Sequence, residues 1–92
     1  MAKTILRSTQ FKRDFKRIRN DSAKVQALYH IVKHLEAGEP IPEENLPHLL
    51  KGNLKGIWEC HVLNDLLLLW IDEDTDTVRL LRLGSHSETL GL

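Results

Sequence analysis

The longest apolar run of the chain, residues 66–71 with the sequence LLLLWI, constrains the fold most strongly. It shows no alternation of apolar and polar residues, so a strand formed here must be covered on both faces. The Asn-Asp pair at 64–65 suits a tight hairpin turn, and the acidic segment 72–76 suits a looser one. Short connections of this kind join antiparallel neighbours. Three strands are therefore predicted, at residues 57–63, 66–71 and 77–83.

Two amphipathic helices are predicted before these strands. Ser8 and Asp21 suit the two N-caps, and Gly38 suits the end of the second helix. The apolar stripes comprise Phe11, Phe15 and Ile18 in the first helix, and Val25, Leu28, Val32 and Leu35 in the second. With a short first strand at 3–6, the chain is predicted to be one α+β domain over residues 1–92, with the helices packed on the sheet.

The composition limits the classes of protein to which the chain can belong. Its 92 residues, 41% hydrophobic and 28% charged, are typical of one soluble globular domain. No apolar stretch is long enough for a secretion signal or a bilayer span. The single cysteine, Cys60, cannot form an internal disulfide, which fits a reducing compartment and disfavours a thiolate zinc site. We therefore expect a cytoplasmic protein with no membrane partner.

The formal net charge of zero hides an uneven distribution along the chain. Residues 1–24 contain eight Lys or Arg and two Asp, a balance of +6, and residues 25–92 contain five Lys or Arg and eleven Asp or Glu, a balance of −6. A basic cluster on the predicted first helix comprises Lys12, Arg13, Lys16, Arg17 and Arg19. Such a cluster can contact nucleic-acid phosphates or an acidic protein segment, and it is also typical of a solvated helix face.

Polar residues converge where the predicted strands pass each other. Because alternate residues of a strand share a face, Glu59 and His61 point to one side and Cys60 to the other. Arg82 lies near the end of the last predicted strand, and His86 follows shortly after it. Polar groups on a sheet belong either in water or in a functional site. We therefore expect a candidate site on this face.

The acidic segment 72–76 has the alternating aspartates that begin a calcium-binding loop. The match ends there, because the sixth position holds no glycine and the twelfth holds Leu83 instead of a glutamate. The predicted neighbours are strands, whereas a calcium loop of this type joins two helices. A solvated hairpin turn is the better interpretation.

Three histidines, His48, His61 and His86, could supply the ligands of a zinc site. They lack the short spacings of known zinc motifs. His30 and His34 are four residues apart, but they are expected on the exposed edge of the second helix. We therefore expect no bound metal and no cofactor.

The same three histidines can act without a metal as acid–base catalysts. Imidazole titrates near neutral pH, so one ring can accept a proton while another donates one. With an arginine on the phosphate, such a set meets the needs of RNA cleavage by the 2′-hydroxyl. Two other interpretations stay open from the residues alone: ordinary surface histidines, and a protein that only binds a partner.

Four segments give the chain a resemblance to the YafQ branch of the RelE/ParE superfamily of bacterial toxins. They read HLLKG at 48–52, KGIWECHV at 55–62, DLLL at 65–68 and RLGSH at 82–86. The branch has similar motifs in the same order, approximately H-P-L-x-G, K-G-x-R-[DE]-x-H-[VL], P-D-hydrophobic and R-x-G-[ST]-H. The resemblance extends from Phe11 to the C-terminus.

The resemblance implies the toxin of a type II toxin–antitoxin pair. In this branch the toxin is a ribosome-dependent messenger-RNA endonuclease that is held inactive by a bound antitoxin, and DNA would be bound only through that antitoxin. The implied fold is RelE-like, with two N-terminal helices on a curved antiparallel sheet and the site on its open face. The alternative is a ParE-like toxin that inhibits DNA gyrase by binding and cuts nothing.

The resemblance also implies roles for individual residues. The catalytic set comprises acid–base residues His48, His61, Asp65 and His86, phosphate-binding Arg82, and the strand carboxylate Glu59. The implied RNA contacts are Lys51, Lys55, Lys12, Arg13, Lys16 and Arg17. Because His86 follows the strand that carries Arg82, we predict that it is the general acid. The base is then His48 or His61, and Asp65 orients its partner.

Four positions depart from the pattern of the branch. They are Trp58 in place of Arg, Asn64 in place of Pro, Leu66 where Trp is common, and Leu90 where an aromatic residue could stack on a base. Stacking contributes about 1 to 3 kcal/mol per base, so Leu90 is expected to weaken RNA binding. Trp58 removes a positive charge that Lys51 and Lys55 can replace.

Overall fold

One mixed sheet of five strands packs with three helices in the computed structural model, which describes residues 2–73 and 76–89. The strands are β1 (Thr4–Arg7), β2 (His48–Leu49), β3 (Trp58–Leu63), β4 (Leu66–Glu73) and β5 (Thr77–Gly84). The helices are α1 (Thr9–Lys16), α2 (Ser22–Ala37) and α3 (His86–Thr89), and single 3₁₀ turns occupy Glu43–Asn45 and Gly52–Leu54. The strand order across the sheet is β1, β5, β4, β3, β2. The predicted α+β class is confirmed.

The central strands follow the predicted hairpins. β3, β4 and β5 are antiparallel neighbours, and β2 adds to β3 in the same sense. β1 instead runs parallel to β5, with Thr4 opposite Thr77 and Arg7 opposite Leu80, so the sheet is mixed rather than wholly antiparallel. No short turn joins β1 to β5, and hairpin geometry therefore does not set its direction.

Both long helices begin at the predicted caps. The Ser8 hydroxyl accepts a hydrogen bond from the N–H of Phe11 (2.9 Å), and the Asp21 carboxylate accepts one from Lys24 (3.2 Å). Gly38 ends α2 in the left-handed region at φ 71°, where a side chain would be strained. Within residues 2–73 and 76–89, no helix is long and apolar enough to cross a bilayer.

The two faces of β4 are buried in different ways, as its unbroken apolar run predicts. Leu68 and Trp70 join the main core, which includes the apolar stripes of α1 and α2. Leu67 and Leu69 point to the opposite face and are 0% exposed. These two leucines therefore form an apolar floor beneath the polar side chains of the open face.

Cys60 belongs to the core on the helix side of the sheet. Burial raises the pKa of its thiol to about 12, and the nearby charge of Glu59 adds to the effect. A buried thiol with a raised pKa is a poor nucleophile at neutral pH. Cys60 is therefore a packing residue, as its place in the strand pattern predicts.

Candidate active site

Cross-strand register brings the polar residues of three strands onto the open face of the sheet. One row across the sheet comprises His48, Glu59, Leu69 and Arg82. Residues directly opposite in a ladder share a face, and His61 lies in the next row, opposite Leu67. With strands about 4.8 Å apart, the backbones of the two ends of the row are about 14 Å apart. The residues between them, around Glu59, therefore form the centre.

Glu59, His61 and His86 form this centre. One nitrogen or carboxylate oxygen from each residue lies within 4.8 Å of the others, and the two imidazole centroids are 5.7 Å apart at 63°. Glu59 is 3% exposed, and its Oε2 is buried without a hydrogen-bond partner in the described part of the chain. A buried, unpartnered carboxylate oxygen costs folding free energy. It is therefore the clearest local sign of a functional group.

His48 supports Glu59 from the edge strand. Its Nδ1 lies 2.9 Å from the carbonyl oxygen of Leu46, to which it can donate a hydrogen bond. Its Nε2 lies 3.3 Å from Oε1 of Glu59, a contact that is an ion pair only when both ring nitrogens of His48 carry a proton. The His48 side chain is 50% exposed and that of Glu59 is 4% exposed, so the contact lies between a half-exposed imidazole and a buried carboxylate.

His86 is the first residue of α3 and lies beside the turn between β3 and β4. Its Nδ1 is 3.3 Å from Oδ1 of Asp65, and both side chains are exposed. Asn64, which precedes Asp65, has φ 49°. Proline cannot adopt this conformation because its ring fixes φ near −65°. Asn64 therefore belongs to a turn of different geometry, and the turn still brings Asp65 to a histidine.

Arg82 lies at the β5 end of the row, and one nitrogen of its guanidinium is hydrogen-bonded to α1. Nε of Arg82 donates a hydrogen bond to Oδ2 of Asp14 on α1 (2.9 Å), and the side chain of Arg82 is 15% exposed. Burial raises the pKa of Asp14, but hydrogen bonds from Arg82, the Leu83 N–H and Gln10 outweigh it and lower the pKa below the usual value. Asp14 and Arg82 therefore form a permanent ion pair.

Asp14 was missed by the sequence analysis, although one signal could have found it. It lies three residues after Phe11 and four before Ile18, so it falls on the apolar stripe of α1. An acidic residue on such a stripe, within a basic cluster, needs a buried cationic or N–H partner.

The predicted RNA contacts lie on two separate surfaces. Lys12, Arg13, Lys16 and Arg17 are exposed on α1 and its C-cap, and Arg17 forms a salt bridge with Glu88 of α3 (2.7 Å). Lys51 and Lys55 are exposed on either side of the 3₁₀ turn that leads from β2 to β3. α1 packs beside β5 and the lysine loop adjoins β2, so cations flank both ends of the row.

The departures from the family pattern have structural explanations at two positions. Trp58 points away from Glu59, into the helix side of the sheet, where it stacks on Trp70 with ring centroids 6.1 Å apart. It is therefore a packing residue and not a lost phosphate contact. Leu66 is 7% exposed and belongs to the same core. Leu90 lies outside the described residues.

Neither of the other two candidates gathers three metal-type ligands among the described residues. Asp72 pairs with Lys3 at 3.0 Å, and Asp74 lies outside the described residues. His30 and His34 are in edge-to-face contact on α2, and Nδ1 of His34 is buried without a partner in the described part of the chain. The described residues with three converging metal-type ligands are Glu59, His61 and His86, a set in which Glu59 replaces the expected His48.

Comparison with known proteins identifies the family. A family model described as the bacterial toxin YafQ of type II toxin–antitoxin systems matches residues 3–91. The chain belongs to the YafQ toxin family. The motifs that gave the resemblance, from the segment at His48 to the segment at His86, lie inside this match.

Individual relatives support the assignment. A Haemophilus influenzae protein named as a YafQ toxin is 34% identical over 71 residues, which are 74% of this chain and 66% of that protein. A metal-bound toxin from Helicobacter pylori has 38% identity and a TM-score of 0.84, covering 95% of this chain and 98% of that one. The Escherichia coli DinJ–YafQ toxin–antitoxin complex has 26% identity and a TM-score of 0.85, covering 99% and 100%. The RelE-like fold expected from the sequence is confirmed.

Proposed function

We propose that this YafQ-family toxin is an endoribonuclease that cuts messenger RNA on the ribosome by acid–base catalysis without a metal. The cluster of Glu59, His61 and His86 carries the proposal, because it places two imidazoles and a carboxylate within 4.8 Å of one another, and one oxygen of that carboxylate is buried without a partner among the described residues. A protein that acts only by binding has no use for a buried carboxylate oxygen without a partner. A catalyst does, because the oxygen can accept a proton.

The reaction needs three actions on one phosphodiester. A base removes the proton of the 2′-hydroxyl while the 2′ oxygen forms a bond to phosphorus. The bond from phosphorus to the 5′ oxygen breaks, and an acid protonates that oxygen, which leaves a 2′,3′-cyclic phosphate and a 5′-hydroxyl. A cation stabilises the pentacovalent phosphorus between these events.

The geometry favours Glu59 as the base, His86 as the acid and Arg82 as the cation. Oε2 of Glu59 has no hydrogen-bond partner in the described part of the chain, while Oε1 lies 3.3 Å from Nε2 of His48. From the sequence, the predicted base is His48 or His61. We favour Glu59 because it joins the central cluster, whereas His48 lies at the far end of the row.

His86 suits the acid because Asp65 orients its ring. When Nδ1 of His86 donates to Oδ1 of Asp65 (3.3 Å), Nε2 is the atom that gives its proton to the leaving oxygen. In this proposal Asp65 therefore pairs with His86, the acid, and not with the base.

The flanking cations suit a polymer that crosses the row. Lysines adjoin the β2 end and the basic face of α1 adjoins the β5 end, so an RNA strand laid from β2 to β5 meets positive charge on both sides. The centre is open to solvent through His86, which is 52% exposed. We infer that the messenger RNA is presented to this open face by the ribosome in the bacterial cytoplasm.

An antitoxin is the second proposed partner. The E. coli relative is seen in complex with the antitoxin DinJ, and we propose that a protein of that class neutralises this chain. Any binding to promoter DNA would then occur through the antitoxin. The exposed basic residues of α1 suit an acidic segment of such a partner.

The test of function is induction of the chain alone in a bacterial host. Translation should stop, and messenger RNA should acquire new ends with a 2′,3′-cyclic phosphate on one side and a 5′-hydroxyl on the other. Co-expression of the antitoxin should restore growth. A DNA-damage response with intact messenger RNA would instead indicate a ParE-like gyrase inhibitor, and good growth of cells expressing the unmodified chain would contradict a potent toxin.

Removal of transition metals is expected to leave cleavage unchanged. Reconstituted ribosomes should be kept in magnesium and treated with a chelator selective for zinc and copper. Added Zn²⁺ or Cu²⁺ should inhibit, because two imidazoles and a carboxylate within 4.8 Å can bind the ion and lose the lone pairs that move protons. Loss of cutting after chelation, with recovery on adding zinc, would contradict the metal-free mechanism.

A further inference from the structure

Asp14 joins α1 to the end of β5 that carries the site. Its side chain is 1% exposed. Oδ2 accepts hydrogen bonds from Nε of Arg82 and from the backbone N–H of Leu83, each at 2.9 Å. Oδ1 accepts a third from Gln10 at 3.1 Å. A buried carboxylate with three donors is fully satisfied, so its position is well defined.

Beyond the end of β1, residues of α1 and its N-cap form hydrogen bonds with the same edge of β5. β1 pairs with β5 as far as Leu80. The Ser8 N–H then donates to the Leu80 carbonyl (2.9 Å), and the Ser8 hydroxyl donates to the Leu81 carbonyl (2.8 Å). Asp14 accepts from Leu83, one residue beyond Arg82. On the edge away from β4, the last part of β5 is therefore held by Ser8 and Asp14 instead of by β1.

The contact with Asp14 leaves one side of the Arg82 guanidinium available. Asp14 binds Nε, and the two Nη groups of Arg82 have no partner among the described residues. A guanidinium is planar, so a carboxylate fixed at Nε sets the direction in which the Nη groups point. Because hydrogen bonds hold the pKa of Asp14 below its usual value, this carboxylate stays charged at neutral pH.

We propose that Asp14 is a positioning residue for RNA cleavage, which fixes Nε of Arg82 so that the Nη pair faces the scissile phosphate. The inference rests on the proposed nuclease function and adds to it a residue outside the acid–base set. Asp14 does not touch RNA in this arrangement. It acts through Arg82, and α1 thereby becomes part of the catalytic support.

The test is a double-mutant cycle on ribosome-bound messenger RNA. Asp14→Asn should lower kcat about 10- to 100-fold, since a small misplacement of a positioned group has effects of that size. KM for programmed ribosomes should change by less than about twofold, because the exposed cations are untouched. In the Arg82→Gln background, Asp14→Asn should cause almost no further loss, because the group that it positions is absent.

Ser8→Ala is the matched control, because it removes another contact between α1 and the same edge of β5 without touching Arg82. It should lower the thermal midpoint as Asp14→Asn does, yet keep kcat within about threefold of the parent. Equal losses of kcat in the two variants, or equal effects of Asp14→Asn in the parent and Arg82→Gln backgrounds, would reduce Asp14 to a structural residue.

A second readout separates this inference from the proposed function. The Nε–H proton of Arg82 should exchange slowly with water in the parent and rapidly in Asp14→Ala, which removes the acceptor oxygen that asparagine would keep, as seen by NMR of both chains carrying His86→Ala to limit toxicity. Fast exchange in the parent would overturn the positioning role even if RNA is cut. Slow exchange in a parent that cuts no RNA would instead refute the nuclease function and keep the Asp14–Arg82 contact.

Discussion

His86→Ala is expected to lower the rate of RNA cleavage about 10²- to 10⁴-fold, the usual contribution of a general acid. The His86 side chain is 52% exposed and contacts Asp65 and His61 at the surface. Its truncation should therefore change the free energy of unfolding by only about 0.5 kcal/mol. The measurements are single-turnover cleavage on programmed ribosomes, the thermal midpoint and the affinity for the antitoxin, of which the first alone should change.

Substrate chemistry identifies the role of His86 as acid. A messenger RNA with sulfur in place of the 5′ bridging oxygen at the cut position has a better leaving group, so it needs no proton. His86→Ala should recover most of its rate on this substrate, while the parent should gain little. His30→Ala, an exposed histidine on α2, is the control and should behave as the parent on both substrates. Parental cutting by His86→Ala would refute the assignment.

Glu59→Gln should abolish cleavage to a similar degree while leaving the fold intact or more stable. Glu59 is 3% exposed, and a buried charge costs free energy that a neutral amide of the same shape avoids. The amide cannot accept the 2′-hydroxyl proton, so a loss of about 10²- to 10⁴-fold is expected. The thermal midpoint, measured beside the cleavage rate, should stay the same or rise. A rise of stability with a fall of activity is typical of a functional group whose burial destabilises the folded protein.

The control for Glu59→Gln is the same substitution at Glu73, which lies on β4 and pairs with Arg79 at 3.0 Å near the surface. Glu73→Gln should cut RNA at the parental rate. If Glu59→Gln also cuts at that rate while His48→Ala or His61→Ala does not, the base is the histidine of the sequence-based assignment. If all three cut normally, the nuclease proposal fails.

The sequence predicted the centre of the candidate site but not its supports. Alternation along β3 placed Glu59 and His61 on one face, and the strand that ends before His86 brought that histidine to them. Those inferences use only local geometry, because strand alternation has a period of two residues. The partner of Arg82 was not predicted, since Asp14 is 68 residues away in sequence and meets it only through the packing of α1 on β5.

The pairing of residues within the site likewise depends on contacts between distant parts of the chain. The sequence does not specify whether Asp65 supports the acid, His86, or the base, His48 or His61. In the folded chain Asp65 meets His86, while His48 meets Glu59. The pairing of His48 with Glu59 follows from the register of β2, which no local pattern specifies, and that of Asp65 with His86 follows from the packing of α3 beside the predicted turn at Asn64.

The sequence by itself determined the α+β class, the caps of both long helices, the buried middle strand and the family. Each of these rests on local periodicity, turn chemistry or a motif, which neighbouring residues specify without the rest of the fold. The tertiary structure decided the parallel pairing of β1 with β5, the Asp14–Arg82 ion pair and the Glu59 oxygen that has no partner among the described residues. Those features arise between residues far apart in the chain, where burial and packing select one arrangement among several that local preferences allow.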